Sequence, residues 1–366
     1  MANQKNNPKN NNINFLKLAF EQAKINLGST GENPSVGCVI VKNESVVSSA
    51  FTSINGRPHA EANALNKKIN FKDAIMYVTL EPCSHYGKTS PCINKIIKKK
   101  IKKVYYCIYD QDIRTRKKTS KLLSINNISS NVGLLKKEGK DFYKSYTSKF
   151  ENKIPLIDAK LAITKDFFTK NIKSKFITNY RSRKVTHLLR SRYDCLLTTS
   201  KTINDDNPEL NVRIDGLEKK SPDLIIIDRN LTLKIIKRVF DKKYNRKIYI
   251  VTTRKNVSKI NKYSNKNIHF IKIESLSKKN HFLLLFDKIK KLGYSRILSE
   301  TGPNFLQMFV KFNFINNLYV FQAPNKIKSN GAKPLKKKII KKMRFNKKIN
   351  VNLHDNKLFK VKLANV

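Results

Sequence analysis

Residues 59–65 read HAEANAL and residues 79–92 read TLEPCSHYGKTSPC. A histidine at 59, a glutamate two positions on, and two cysteines fall inside this stretch. Zinc prefers His nitrogen and Cys sulfur in tetrahedral geometry, and a catalytic zinc keeps three protein ligands and one position for water. His59, Cys83 and Cys92 supply such a set, one neutral and two anionic ligands. Glu61 is then left over for moving protons. Residues two apart on a helix stand about 200° apart, so His59 and Glu61 cannot share a face in mid-helix. They are expected at a helix start, and Pro58 immediately before fits one. Cys38, Cys107 and Cys195 each sit alone in an apolar run and are read as small core residues.

At 366 residues the chain is long enough for two domains. Its five cysteines form no even framework, which fits a reducing cytoplasm better than a disulfide-stapled secreted protein. The first residues, MANQKNNPKNNNINF, are polar and hold no apolar segment, so residues 1–12 are expected to be disordered and no membrane address is read there. The apolar run HFLLLF (281–286) is far too short to span a bilayer. The formal charge is +50. Lysines able to neutralise phosphates could serve nucleic-acid binding, but here they are scattered rather than gathered on one stretch with interleaved aromatics. The charge is therefore read as compositional, and nucleic acid is not an expected partner. Attraction of small phosphorylated molecules is compatible with it.

Along the chain, residues 14–25 space Phe15, Leu16, Ala19, Phe20 and Ala23 as a helix does. VGCVIV and SVVSSAF read as a hairpin, AEANALNKK as helix, AIMYVTL (74–80) and VYYCIY (104–109) as strands, with a short helix after Cys92. The pattern restarts after Pro155: strands are expected at 156–163, 195–199, 223–228, 247–253, 268–273, 296–300 and 317–324, and a helix at 181–192. Alternating strands and helices predict an α/β fold in two domains, 1–150 and 151–366. ETGPN after a strand reads as a glycine turn opening a helix, whose N–H groups suit a phosphate, although most such turns are only turns.

Zinc deaminases of nucleobases pair a His/Cys/Cys zinc with a glutamate that is not a ligand, and their signature ends P-C-x-x-C. Here eight residues, SHYGKTSP, separate Cys83 from Cys92. NPSVGCVIV, HAEANAL and YVTLEPCSHYGKTSPC together resemble the deaminase half of the bifunctional riboflavin-biosynthesis deaminase/reductases. That resemblance implies a cytidine-deaminase-like αβα domain holding Zn2+. It implies a diamino-ribosylamino-pyrimidinone 5′-phosphate substrate, with Asn33 on the pyrimidine and Lys88 near the phosphate. Two departures stand out: Thr52 replaces a substrate-contacting histidine, and DQDIRTRKKT (110–119) lacks the family loop's prolines and glycines.

Residues 153–366 resemble the reductase half, a dihydrofolate-reductase-like α/β domain, most strongly over 176–213 and again at SETGPNF (299–305) and FQAPNKI (321–327). The resemblance places Ser174, Arg190, Leu210, Arg213 and Glu300 on the substrate. It assigns NADPH to Ala162, Asp166, Phe176, Thr202, Asp206 and the segment beginning Gly302, Pro303, Asn304, Phe305. The family glycine after the aspartate is Phe167 here, a residue that cannot reach positive φ cheaply. The expectation is thus a cytoplasmic, homo-oligomeric deaminase/reductase using zinc and NADPH. The alternatives are a nucleic-acid deaminase and a deaminase with a structural C-terminal domain.

Overall fold

The apolar stripe of residues 14–25 lies on α1 (Pro8–Ile25), with Leu16, Ala19, Phe20 and Ala23 buried against a sheet. The computed structural model describes residues 8–151, 154–234, 237–241, 246–253, 260, 267–345 and 347–363. The stretch expected to be disordered is helical from Pro8 onward, while residues 1–7 lie outside the described residues. Proline suits the first position of a helix, and Asn12 Oδ1 accepts a hydrogen bond from the Tyr77 hydroxyl at 2.6 Å. That anchor ties the polar end of α1 to the sheet, a long-range contact that composition does not show.

Two compact units divide the chain at Met1–Lys153 and Ile154–Val366. The first continues with β1 (Gly37–Lys42), β2 (Ser45–Phe51), α2 (Ala60–Leu65), β3 (Ile75–Val78), α3 (Cys92–Lys98) and β4 (Lys103–Tyr106). It ends with α4 (Thr119–Ile125), β5 (Ser129–Val132), α5 (Lys136–Phe142) and α6 (Lys144–Thr147). The sheet order is β2-β1-β3-β4-β5: β1 is antiparallel to both β2 and β3, and β3, β4 and β5 run parallel. A Cβ on Gly37 would stand 1.8 Å from the Ala19 carbonyl oxygen, so only glycine lets α1 approach β1 this closely.

The second unit holds β6 (Leu156–Ile163), β7 (Phe168–Asn171), α7 (Tyr180–Arg190), β8 (Cys195–Thr199), α8 (Ser200–Asp206), β9 (Asp223–Ile227) and β10 (Ile248–Thr253). It continues through β11 (Ile268–Ile273), α9 (Lys279–Lys291), β12 (Arg296–Ser299), α10 (Pro303–Lys311) and β13 (Asn317–Gln322). The last elements are β14 (Gly331–Pro334), α11 (Lys337–Lys342), β15 (Met343–Arg344) and β16 (Lys357–Leu363). Strands β11-β10-β9-β8-β12-β6-β13 run parallel, and β16 and β15 extend the sheet antiparallel. The unbroken apolar runs of β8, β9 and β10 are buried, as parallel strands covered on both faces require. HFLLLF lies in α9, where Phe282, Leu285, Phe286 and Ile289 face the core. No helix among the described residues is long and apolar enough to cross a membrane.

Candidate functional site

In the first unit, His59 is the N-cap of α2, with extended backbone, and Glu61 sits in the first turn, buried. The two side chains reach one site because the chain enters the helix between them. Asn63 pins α2 to the end of β2, donating from Nδ2 to Phe51 O at 2.9 Å and to Ser53 Oγ at 3.0 Å. Cys83 follows β3, and Cys92 opens α3. His59 Nδ1 lies 3.5 Å from Cys83 Sγ and 3.4 Å from Cys92 Sγ, and all three ligand atoms fall within 4.8 Å of one another. His59 Nε2 is buried without a hydrogen-bond partner among the described residues.

A tetrahedral ion with Zn–S near ~2.3 Å and Zn–N near ~2.0–2.1 Å holds nitrogen and sulfur about 3.5–3.6 Å apart. The observed spacings match, so the residues present fit a zinc ion. The sulfurs also divide their protons unevenly: the hydrogen bond from Cys92 holds the Cys83 thiol down at about 4, while that same bond and burial push Cys92 up. Burial pushes the Glu61 carboxyl up to about 7 against the opposing effect of His59.

Asn33 donates from Nδ2 to Gly56 O at 3.2 Å, and Lys88 is exposed in the loop between the cysteines. Thr52 is buried with its hydroxyl turned inward, accepting from Val36 N–H at 2.9 Å. The 110–119 loop needs neither proline nor glycine, because Glu81 gathers it. This buried carboxylate accepts from Asp110 N–H at 3.1 Å, Lys117 N–H at 3.1 Å and Thr119 N–H at 3.2 Å. From that loop Thr115 Oγ1 meets His85 Nδ1 at 2.8 Å. Neither Glu81 nor Thr115 was singled out from the sequence; the one signal was the position of Glu81 two residues before Cys83.

In the second unit, Arg190 and Glu300, named separately from the sequence, are each other's partner. Arg190 Nε donates to Glu300 Oε1 at 2.6 Å and Nη2 to Oε2 at 3.0 Å, while Nη1 donates to Asn211 O at 3.0 Å. Burial alone would raise the Glu300 carboxyl, but Arg190 and Lys160 hold it down at about 2. Lys160, on β6, completes this cluster; burial pushes its ammonium down, and Glu300 opposes that. Arg213 lies apart from the pair, donating to Glu209 Oε2 at 2.8 Å and Asn211 Oδ1 at 2.7 Å. Leu210 is buried in the core at φ +52°, and its carbonyl accepts from Arg246 Nη1 at 2.7 Å.

Asp166 ties a turn together: Oδ1 accepts from the Thr164 hydroxyl at 2.5 Å, and Oδ2 from Ile327 N–H at 3.0 Å and Lys328 N–H at 2.9 Å. Phe167 does adopt positive φ, +66°, against expectation. Its ring offsets the strain by packing 6.5 Å from that of Phe345 in an apolar cluster. Ala162 is on β6. Ser174 Oγ donates to Phe176 O at 3.2 Å, and the exposed Phe176 ring carries the Arg183 guanidinium at 4.2 Å. Thr199 is the N-cap of α8, its hydroxyl accepting from Thr202 N–H at 3.2 Å, and Asp206 pairs with Lys170 at 3.6 Å. Gly302 caps α10, Pro303 and Asn304 begin it, and the half-buried Phe305 ring packs edge-to-face against Phe282 and Phe309.

Comparison with known proteins follows the same division. The cytidine and deoxycytidylate deaminase zinc-binding region matches residues 9–108, and the RibD C-terminal domain matches residues 157–357. The riboflavin biosynthesis protein RibD of Aquifex aeolicus is 34% identical over 314 residues, covering 85% of this chain and 86% of that protein. RibD of Buchnera aphidicola is also 34% identical, over 337 residues, covering 88% and 89%. In fold, the chain resembles the Thermotoga maritima diaminohydroxyphosphoribosylaminopyrimidine deaminase/5-amino-6-(5-phosphoribosylamino)uracil reductase. The TM-score is 0.80 at 24% identity, covering 98% of this chain and 100% of that one. Two family models in order along the chain, with relatives that span most of its length, lead to one conclusion: this chain belongs to the RibD family of bifunctional riboflavin-biosynthesis deaminase/reductases.

Proposed function

We propose that the N-terminal unit hydrolyses the exocyclic 2-amino group of 2,5-diamino-6-ribosylamino-4(3H)-pyrimidinone 5′-phosphate, and that the C-terminal unit then reduces the ribosyl group to ribityl with NADPH. The observation that carries the first step is the spacing of His59 Nδ1 from both sulfurs, 3.5 and 3.4 Å, with the Glu61 carboxyl buried beside them. His59, Cys83 and Cys92 would hold zinc. When bound, zinc supplies Lewis acidity that makes water nucleophilic near neutral pH. Glu61 takes a proton from the attacking water and delivers it to the departing amine, so that water and amine become carbonyl and ammonia. The burial of Glu61 keeps its proton affinity close to neutrality, where a group can both accept and release a proton. Asn33, fixed on Gly56, orients the pyrimidine, and Lys88 faces the phosphate.

For the second step, the charged group of Arg190, Glu300 and Lys160 would receive the ribosyl phosphate end, with Arg213, Ser174 and the Leu210 backbone. NADPH would lie against Ala162, Asp166, Phe176, Thr202 and Asp206. The site fits it at α10: Gly302 caps the helix, and an added Cβ there would meet nothing within 4 Å, which leaves its N-terminal end open to a phosphate. The cofactor supplies the hydride, and the protein orients it against the sugar. Asp166 serves this by fixing the β6–β7 turn rather than by offering a free carboxylate. Incubating the purified protein with the phosphorylated diaminopyrimidinone, with and without NADPH, and weighing the products tests both steps. Ammonia loss without NADPH, and a further two hydrogens gained only with it, are expected.

A further inference from the structure

Arg57 stands two residues before His59, at the entrance to α2. Its Nη1 donates to Thr89 Oγ1 at 2.5 Å, and its Nη2 lies 3.5 Å from where a Cβ on Gly87 would be. The guanidinium therefore runs along the turn that Gly87 N–H closes on Thr89 O at 3.3 Å. Lys88 is the middle residue of that turn and is exposed. On its other side Arg57 follows Gly56, the carbonyl that anchors Asn33. Gly56 has φ +84°, and a Cβ there would stand 2.4 Å from Asn33 Nδ2, so the contact depends on glycine. One short segment thus links the anchor of Asn33, the Arg57 guanidinium, His59 and Glu61.

A strut to a threonine hydroxyl uses one N–H of the five that a guanidinium presents. Among the described residues no carboxylate pairs with Arg57 or with Lys88. Arg114, on the neighbouring loop, shows the contrast: its fork is closed on Asp112 at 2.9 and 2.6 Å. Two cations along one turn, neither paired with a carboxylate among the described residues, fit a doubly charged oxyanion, and a guanidinium is the side chain that grips one bidentately. We propose that Arg57 determines specificity in the deaminase site, binding the phosphate of the pyrimidine substrate together with Lys88. It is a binding residue, not a catalytic one, and its role rests on the deaminase function proposed above.

The test is ammonia release by the zinc-loaded full chain on the phosphorylated pyrimidine and on its dephosphorylated counterpart. Wild type, Arg57→Ala and Arg57→Lys are compared, with zinc content measured in each. Losing the charge-assisted contact should raise KM for the phosphorylated substrate about 10- to 100-fold in Arg57→Ala. The preference for the phosphorylated substrate should collapse by the same factor, and Arg57→Lys should restore part of it. Equal loss on both substrates, zinc loss in both variants, or an unchanged preference in an active Arg57→Ala would overturn the role of Arg57 and leave the deaminase function standing. Wild type that releases ammonia from neither substrate would remove both.

Discussion

Replacing Glu300 with Gln keeps the shape of the side chain and removes its charge, and the structure sets the cost. The Arg190 fork would lose its 2.6 and 3.0 Å contacts to a carboxylate and meet an amide that carries N–H donors of its own. The two side chains are 11% and 10% exposed, so water cannot take over. Removing one partner of such a pair costs about 3–5 kcal/mol. Proton linkage gives a second route to the magnitude. Lowering the Glu300 carboxyl from 4.5 to about 2, at about 1.4 kcal/mol per pH unit, contributes about 3 kcal/mol at neutral pH. Because the folded value is depressed, that stability is fully present above 4.5 and fades as pH falls toward about 2. The assay is urea unfolding of wild type and Glu300→Gln at pH 7 and pH 3, followed by circular dichroism because the chain has no tryptophan. The variant should be about 3 kcal/mol less stable at pH 7, and about 2 kcal/mol of that difference should be gone at pH 3. A difference below about 1 kcal/mol at pH 7, or one that does not shrink with acid, would refute the reasoning.

Glu61→Gln should keep its zinc, because the glutamate is not among the three clustered ligand atoms, and should lose about 10²-fold or more in ammonia release; zinc lost with activity would make Glu61 a ligand. Cys83→Ser should release the metal and abolish deamination, whereas stoichiometric zinc in a Cys83→Ser/Cys92→Ser double variant would end the assignment. At Phe167, Ala loses the ring and keeps the positive-φ strain, while Gly loses the ring and the strain together. Phe167→Ala should therefore be about 1 kcal/mol less stable than Phe167→Gly in urea, and equal stabilities would mean that the turn relaxes.

The clustering of the first site was legible because its chemistry is local and its spacing restrictive. Three ligands and a bystander glutamate lie in two short segments, and the rotation per residue already forces His59 and Glu61 to a helix start. What escaped was the support. Glu81 works through three backbone N–H groups on a loop with no periodicity, and no side chain on that loop announces the contact. The helical start at Pro8 escaped for a related reason. Asparagine-rich composition argues against burial, but one hydrogen bond from Tyr77 and the apolar stripe further along α1 are enough to order residues 8–12.

The second unit shows why residue lists and sites differ. The strands were visible as apolar runs, yet β12, late in the chain, inserts between β8 and β6, an order that the runs themselves do not specify. That insertion carries Glu300, at the end of β12, to Arg190, at the end of α7, across 110 residues. It also brings Lys160, on the strand paired with β12, under the influence of both charges. Arg190 therefore does not wait as a free cation for a phosphate. Its fork is engaged, and an incoming anion must share it with Glu300 or be received by Lys160. The Phe167 departure is settled by similar long-range terms. A glycine would satisfy the turn by itself, whereas phenylalanine occupies the same backbone conformation because Phe345, far along the chain, supplies an apolar surface for its ring. The turn that fixes Asp166 is thus held here by the packing of Phe167 rather than by a glycine, and it is that geometry on which a reductase site would depend.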